Sequence, residues 1–303
     1  MSERKQNAVP QQSNLQLHRQ LARFNQERLR PGIPSDQWRQ QLETMLRCQL
    51  MEGEFVESAR SGFSHAWPEV PQEIEAFMAW FEQLKHSGPG QNHPLFTWLA
   101  AEANAEQMCW FVKQEVAGEA GFEDLVALAQ IKIPVRPKLE MARNYWDEMG
   151  RGHAEGMHGG LLDKLVAELV LTPTIEDTVW ESLALANLMV ALACNRRYAW
   201  QAIGALGVIE MTAPGRVSKV NDGLRRLGVS AAGRSYFQLH AGLDVRHSAA
   251  WNREVIRPLV TANPELAQPI AEGAWLRLMA GKRCFDRYSR ELRVSDLALK
   301  LAA

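Results

Sequence analysis

The chain contains 303 residues, of which 46% are hydrophobic and 23% are charged, a balance typical of a globular protein with a sizeable core. Its formal net charge of -1 argues against the basic surface used by nucleic-acid-binding and membrane-surface proteins. No apolar run reaches the roughly 18 residues that a membrane-spanning helix needs, and the polar N-terminus lacks the hydrophobic stretch of a secretory signal. The four cysteines form no CxxC pair, which argues against a zinc ribbon or a redox dithiol. These features predict a cytoplasmic protein with no nucleic-acid or membrane partner.

Helical periodicity dominates the chain from its N-terminal end onward. Residues 1–15 are rich in Gln, Ser and Asn and are predicted to form a flexible tail. Residues 16–92 place apolar side chains mainly at helical spacing before a break rich in Gly and Pro, which predicts an N-terminal helical extension packed on the core. Residues 93–292 are predicted to form the main domain, and residues 293–303 a C-terminal tail.

The main domain is predicted to consist of successive helices. Almost no segment alternates between apolar and polar residues with a period of two, so the fold class is predicted to be all-α. Residues 131–137 are interrupted by prolines and are predicted to be a connector, whereas the glycine-rich run after Met149 predicts a turn or a loosened helix. The predicted helices cover about 95–130 (with a break near Gly118), 138–149, 160–170, 177–211, 215–227, 234–261 and 266–289.

The sharpest chemical signal is the sequence HAGLDVRH. It places His240, Asp244 and His247 at offsets of 0, 4 and 7, and these offsets lie on one face of a helix. Two imidazoles and a carboxylate on one stripe suit a divalent metal such as iron or manganese. The alternative interpretation is a polar helix face whose histidines only form hydrogen bonds.

Glu210 is the second candidate ligand. It lies in the run AIGALGVIEMTAPG, where small and apolar residues flank it on both sides. A buried carboxylate is normally paired or bound to a metal, because an uncompensated buried charge is costly. Metal ligation and an ion pair with Arg196 or Arg197 are both compatible with this pattern.

The segment NYWDEMGRGHAEGMHGG supplies a third signal. Glu148 precedes His158 by ten residues, which is nearly three helical turns, and the intervening glycines also allow the backbone to bend. Asp147 and His153 are competing candidates in the same segment. A capping or surface-charge role for Glu148 is the alternative.

A row of glutamates forms the fourth signal. Glu115, Glu119 and Glu123 follow one another at four-residue spacing, which usually marks a solvated helix face. Apolar residues such as Phe111 and Phe122 lie close by in the sequence. At least one carboxylate is therefore expected to turn inward, and the pattern does not separate Glu115 from Glu119.

Facing helices that each contribute Glu or His to the interior of a bundle form the di-iron and di-manganese sites of helical proteins. In this combination the sequence resembles the heme-oxygenase-like diiron oxidases and oxygenases, a group also described as iron-containing redox enzymes. The resemblance covers about residues 95–290 and depends on an H-x3-D-x2-H helix, a Glu thirty positions before its first His, an E-x9-H pair and an E-x2-F-x-D-L element. It favours Glu148 and His158 over Asp147 and His153, and Glu119 over Glu115. The ligand set that it implies is Glu119, Glu148, His158, Glu210, His240, Asp244 and His247.

The same resemblance implies a fold and a chemistry. The fold is a bundle of about seven core helices, spanning the heme-oxygenase-like diiron domain at 93–292, with auxiliary N-terminal helices and frequent dimers. Glu148, His158 and His247 would bind one iron, while Glu119, Glu210, His240 and Asp244 would bind the other or bridge the two. Two Fe ions (Fe2+/Fe3+) with O2 as co-substrate would oxidise an amino-acid-like or fatty-acid-like metabolite in a biosynthetic pathway, and an external electron donor would serve as a partner.

Arginines are the residues expected to hold a substrate carboxylate. Arg143, Arg196, Arg197 and Arg216 are candidates, each of which is equally suited to a structural pair. The competing functions are a heme-degrading enzyme, a cofactor-free or thiaminase-like enzyme on the same fold, and a non-catalytic helical metal-binding or interaction protein.

Overall fold

The computed structural model describes residues 13–63, 69–119 and 121–294. Within these ranges the chain is helical and contains no β-strand. The all-α prediction is therefore confirmed. The predicted tails at 1–15 and 293–303 fall largely outside the described residues.

Thirteen α-helices follow one another in the described ranges, and a π-helical turn links two of them without interruption. None of these helices is both long and apolar enough to cross a membrane. The helices are α1 (Asn14–Leu29), α2 (Trp38–Phe63), α3 (Ile74–Ser87), α4 (Pro94–Ala101), α5 (Ala105–Glu119), α6 (Phe122–Ala129), α7 (Val135–Glu148), α8 (His158–Glu168), α9 (Trp180–Cys194), α10 (Ala199–Arg226), α11 (Ser235–Ala250), α12 (Arg257–Ala262) and α13 (Ala267–Glu291).

The N-terminal helices pack on the core helices. Helix α1 begins after Ser13, whose hydroxyl accepts a hydrogen bond from the backbone N–H of Gln16 in a capping box. It packs against α9 and α2, while α3 packs against α10 and α12. Arg28 of α1 and Glu52 of α2 form a buried ion pair at 2.5 Å. Helix α1 therefore forms a fixed wall beside α9, which is buried on nearly all sides.

The predicted helix at 95–130 is divided into α4, α5 and α6. The break between α5 and α6 lies close to the one predicted near Gly118, whereas the break between α4 and α5 was not predicted. Helix α4 ends before Asn104, whose side chain accepts a hydrogen bond from the N–H of Gln107 at 2.9 Å and starts α5. The second break comes at Gly121, which has a φ of 68°, a conformation that glycine adopts without strain.

Helix α10 continues through Pro214, although the sequence predicts helices ending near 211 and restarting near 215. The break lies instead at Asn195, whose side chain accepts a hydrogen bond from the N–H of Arg197. Packing against α4, α11 and α13 holds the central helix in one piece. Because proline has no N–H, Pro214 cannot donate the helical hydrogen bond that the carbonyl of Glu210 would normally accept.

Helices α10 and α13 cross in backbone contact. A Cβ atom placed on Gly204 would lie 1.8 Å from the carbonyl oxygen of Ile270, and one on Gly273 would lie 1.8 Å from that of Gln201. Two glycines therefore allow an approach that no other residue permits. On another side, α10 packs along α11. Glu210 consequently faces the helix that carries the H-x3-D-x2-H sequence.

Candidate metal centre

The structure brings all seven predicted ligands into one interior cluster. Three of them lie at helix ends: Glu119 is the last residue of α5, Glu148 is the last residue of α7, and His158 is the first residue of α8. Glu210 lies within α10, and the remaining three lie on α11. Buried positions are occupied by Glu148, His158, Glu210, His240, Asp244 and His247, and a partly buried one by Glu119.

The three residues of α11 point to the interior because their spacing follows the helical repeat. His240 donates from Nδ1 to the backbone carbonyl of Tyr236, one turn earlier, at 2.7 Å. This contact assigns the proton to Nδ1 and directs Nε2 toward the cluster, as the outer hydrogen bond of a metal-binding histidine does.

Glu148 and His158 meet across a turn and not along a continuous helix, so the three-turn explanation of their spacing was wrong. After α7 the chain folds back through Gly150 and Gly152, which have φ values of 61° and 86°. A Cβ atom on Gly150 would lie 2.5 Å from the backbone of Gly156. The glycines thus permit a tight turn that places Nδ1 of His158 2.7 Å from Oε2 of Glu148.

The competing candidates of this segment have other positions. His153 is exposed. Asp147 accepts hydrogen bonds from Arg151 at 2.7 Å and from Nε2 of His247 at 3.2 Å. Asp147 therefore supports a member of the cluster from outside it.

Two groups of potential ligand atoms share Glu148. In the first, Oε2 of Glu148 lies 2.7 Å from Nδ1 of His158 and 3.5 Å from Nε2 of His240, and the two histidine nitrogens are 2.9 Å apart. In the second, Nδ1 of His247 lies 3.4 Å from Oε1 of Glu148 and 3.4 Å from Oε2 of Glu210. Each oxygen of Glu148 therefore faces a different group.

This grouping differs from the division of ligands that the family resemblance implies. His158 lies with His240 and not with His247. The two histidines of α11 are seven residues apart, or about 10 Å along a helix axis. His240 and His247 consequently lie at opposite ends of the cluster.

Glu119 completes the first end of the cluster. Its Oε1 lies 2.7 Å from Nε2 of His158 and also accepts a hydrogen bond from the N–H of Phe122. Glu123 comes close enough to form a third potential ligand group with Glu119 and His158. Glu115, by contrast, lies one helical turn away from this contact, near Tyr288.

Two polar atoms of the cluster are left without a hydrogen bond among the described residues. Oδ1 of Asp244 and Nδ1 of His247 are buried and have no hydrogen-bond partner of good geometry in the described part of the chain. Burial, reinforced by the negative charges of Glu210 and Glu148, raises the pKa of Asp244 to about 10. Burial lowers the pKa of His247, but Glu210, Asp147 and Glu148 outweigh it and raise that pKa to about 9.

In the metal-free protein, the protons on Asp244 and His247 offset negative charge that bound metal ions would otherwise offset. His158 shows the same effect, since burial lowers its pKa but Glu119 and Glu148 raise it well above the ordinary value. Buried carboxylates and imidazoles that converge with unsatisfied atoms are a suitable donor set for divalent iron. The residues present therefore fit a pair of metal ions.

The proposed salt bridge from Glu210 to a neighbouring arginine is absent from the described residues. Arg196 donates to the backbone carbonyl of Ala129, and Arg197 donates to Glu57. Glu210 instead accepts a hydrogen bond from the amide of Asn144 at 2.7 Å.

Comparison with known proteins agrees with this geometry. Residues 109–282 match the family of iron-containing redox enzymes. The chain belongs to this family. No curated protein matches it at a significant level of sequence similarity.

Solved structures show the same fold. A crystal structure of a CADD-like protein of unknown function from Nostoc punctiforme has 17% identity and a TM-score of 0.51, covering 80% of this chain and 99% of its own. A second crystal structure of the same protein has 16% identity and a TM-score of 0.50, covering 80% and 96%. At this identity, the likeness shows that this chain shares their helical fold.

Two residues that contact the candidate ligands were missed in the sequence. Tyr236 donates from its hydroxyl to Oε2 of Glu119 at 3.2 Å, and its ring centre lies 4.6 Å from that of His240. Asn144 holds Glu210. Tyr236 precedes His240 by four residues and Asn144 precedes Glu148 by four, and such pairs lie on one helix face. That spacing was the available signal.

A cavity of about 470 Å³ leads to the cluster between α1, α5, α8 and α9. Glu119 and His158 contribute to its lining, together with Ala22 and Leu29 of α1. A smaller space of about 50 Å³ lies among the ligand side chains themselves. The N-terminal helix α1 therefore forms one wall of the approach to the candidate centre.

Proposed function

We propose that this iron-containing redox enzyme is a non-heme diiron oxidase or oxygenase that uses O2 to oxidise a small metabolite. The observation that carries the proposal is the position of Glu148, whose two oxygens face two separate histidine-containing groups. A carboxylate between two sets of ligands is the arrangement that helical bundles use to hold a pair of metal ions.

Each iron would have a defined set of residues. Glu148, His158 and His240 would hold one ion, and Glu148, Glu210 and His247 the other. Asp244 and Glu119 would complete the two ends. When bound, the two ferrous ions would supply the electrons that reduce O2 and so provide the oxidising power.

The surrounding residues orient the ligands and exclude water. Asn144 holds Oε1 of Glu210, so that Oε2 remains directed at His247. The hydroxyl of Tyr236 holds Oε2 of Glu119. Asp244 and His247 carry protons in the metal-free protein and would release them as the ions bind.

The apolar cavity beside Glu119 and His158 supports a small organic substrate, because such sites are concave, largely apolar and contain few polar groups. We propose an amino-acid-like or fatty-acid-like metabolite that undergoes N-oxygenation, desaturation or C–C cleavage. Family resemblance supports a homodimer in the cytoplasm and an external electron donor that returns iron to the ferrous state.

The test is anaerobic loading with Fe(II), followed by measurement of bound iron and of absorbance after rapid mixing with O2. We expect about two iron ions per chain, as in other carboxylate-bridged helical sites, and a transient visible band. Both should be lost in the His240→Ala/Asp244→Ala double variant. The His86→Ala/Asp36→Ala double variant removes the same two residue types at exposed positions and should behave like the unaltered protein.

A single bound iron or none, with no change in absorbance after O2 is added in the presence of excess Fe(II), would contradict the proposal. A cofactor-free or thiaminase-like activity on the same fold would then become the leading explanation.

A further inference from the structure

A second polar cluster lies inside the bundle, one helical turn from the candidate metal centre. Glu115 precedes Glu119 by four residues on α5, so the two carboxylates share a helix face. Arg216 of α10 and Arg277 of α13 both lie close enough to Glu115 for their charges to act on it. Asp244 in turn acts on Arg216, and Glu119 on Arg277. This arginine pair, Arg216 and Arg277, therefore adjoins two of the candidate ligands.

The arginine pair lacks the partners that interior arginines normally have. Among the described residues, neither guanidinium forms a hydrogen bond, and neither has a carboxylate oxygen within the 4.0 Å of an ion pair. Nε of Arg277 is buried without a hydrogen-bond partner. The guanidinium of Arg216 lies over the rings of Phe96 and Phe285, at 6.0 Å and 5.5 Å from their centres. Buried charges without hydrogen-bonded partners are costly.

The other arginines that the sequence suggested for carboxylate binding are engaged elsewhere. Arg143 forms an exposed ion pair with Glu140 at 2.5 Å. Arg196 and Arg197 are held by a backbone carbonyl and by Glu57. Of the four candidates, Arg216 alone keeps its donors free in the described structure.

The arginine pair is accommodated by a glycine and is not fully buried. A Cβ atom on Gly281 would lie 2.8 Å from Nη1 of Arg277, so the missing side chain makes room for the guanidinium. Arg216 and Arg277 are themselves only partly buried. Part of each arginine therefore remains accessible to a ligand.

The charges in this region do not balance. Two guanidiniums lie near one carboxylate, that of Glu115. Burial raises the pKa of Glu115 and so disfavours its negative charge, which leaves the two arginines less compensated. Burial also raises the pKa of Cys284 to about 12, so this neighbouring thiol stays neutral. Burial and the charge of Arg277 lower the pKa of Arg216 to about 10, which still leaves the group protonated at neutral pH.

Iron would not remove this surplus. The four carboxylates of the metal cluster would be matched by two divalent ions and would no longer offset the arginine pair. A net positive charge would then remain beside the centre, at a position that α5, α10 and α13 enclose.

We propose that Arg216 and Arg277 bind the carboxylate of an organic-acid substrate and so present its neighbouring atoms to the metal centre. A guanidinium offers parallel N–H donors that match the two oxygens of a carboxylate. The anion would supply the charge and the acceptors that the pair lacks. The oxidation of that substrate rests on the proposed diiron function, whereas its binding does not require iron.

The binding test uses calorimetric titration of the purified full-length protein with acetate, hexanoate and benzoate at constant ionic strength. The neutral amide of each acid is the matched control ligand. We expect at least one of the acids to bind and its amide not to bind. In Arg216→Met and Arg277→Met the affinity should fall roughly tenfold to a hundredfold, because a charge-assisted bidentate contact is lost. Arg143→Met removes an exposed arginine and should leave the affinity unchanged.

Thermal unfolding without ligand separates a binding pair from a structural one. A single Arg→Met change leaves one guanidinium with one carboxylate, so the melting temperature should stay the same or rise. A fall of several degrees in both variants would show that the pair stabilises the fold, and it would overturn the proposal. Gly281→Ala displaces the Arg277 guanidinium without altering any charge and should also weaken carboxylate binding several-fold. This variant keeps the test valid if an arginine variant fails to fold.

Inorganic anions and iron complete the design. An equal affinity for chloride or bicarbonate would identify a site for a small inorganic anion and overturn the substrate assignment. Fe(II) uptake is measured on the same variants. Carboxylate binding without iron uptake would support this inference while contradicting the diiron function, and iron uptake without carboxylate binding would do the reverse.

Discussion

The interior of this protein contains two kinds of buried charge. In the N-terminal helices, two arginines pair with buried carboxylates: Arg28 pairs with Glu52 at 2.5 Å, and Arg60 pairs with Glu272. In the candidate metal centre, four carboxylates converge with three imidazoles, and no arginine or lysine of the described structure pairs with Glu148 or Glu210.

The difference distinguishes structural from functional polarity. In a matched pair the two opposite charges compensate each other, and removing one partner leaves the other uncompensated. An unmatched cluster holds protons on Asp244 and His247 and remains open to an external cation. The arginine pair shows the same imbalance with the opposite sign. Unequal charge, more than burial alone, marks the places where a ligand belongs.

The largest effect on folding should come from breaking a matched pair. Glu52→Ala leaves Arg28 buried without a carboxylate and should lower the free energy of unfolding by about 3–5 kcal/mol. Asp244→Asn should instead stabilise the metal-free protein by about 1 kcal/mol, since unfolding would no longer release the proton that Asp244 holds. Denaturant unfolding of the metal-free protein measures both.

Glu54→Ala, at an exposed position of the same helix, is the control for Glu52→Ala. A loss of stability in Asp244→Asn as large as that in Glu52→Ala would remove the distinction between the two regions.

The next effect concerns the shared carboxylate. Glu148→Ala should weaken the binding of both iron ions by at least about a hundredfold, because a residue bound directly to the metal contributes more than the hydrogen bonds around it, which themselves contribute about 10–100-fold. Glu210→Ala should leave one ion bound. Iron content after anaerobic loading measures this difference, and Glu155→Ala, at an exposed position, is the control. Equal iron loss in the two ligand variants would argue against a bridging role for Glu148.

The smallest effect is a dependence of iron affinity on pH. The pKa of His247 is raised to about 9 and that of Asp244 to about 10, so the metal-free protein holds protons at pH 7 that iron must displace. The affinity for Fe(II) should rise about tenfold or more per pH unit between pH 6.5 and 8.

The same raised pKa values make the metal-free fold less stable as pH rises. The unfolded chain releases these protons at lower pH, so stability is lost as pH approaches the folded pKa values. Anaerobic Fe(II) titrations at several pH values, with parallel unfolding curves, check both trends. An affinity independent of pH would contradict the protonated state of the cluster.

Much of the site follows from local sequence. Helix α11 presents His240, Asp244 and His247 on one face because their spacing alone fixes that geometry, and the apolar neighbours of Glu210 indicate its burial. Even the missed contributions of Tyr236 and Asn144 follow the four-residue helical spacing.

The rest depends on non-local contacts. The sequence shows Pro214 as a break, but packing on three sides keeps α10 continuous. The turn that joins Glu148 to His158 depends on the unusual backbone angles of Gly150 and Gly152. The arginine pair comes from two helices far apart in the chain, so no local sequence pattern predicts it.

Three of the proposed ligands, Glu119, Glu148 and His158, are the terminal residues of their helices. The last turn of a helix is ordinarily the first to open, since its hydrogen bonds are the least protected by neighbours. In the iron-loaded protein the metal would bind residues at three such helix ends and so hold them together. Loading would therefore be a small folding reaction in itself, and an iron that departs would leave the ends of α5, α7 and α8 free to fray.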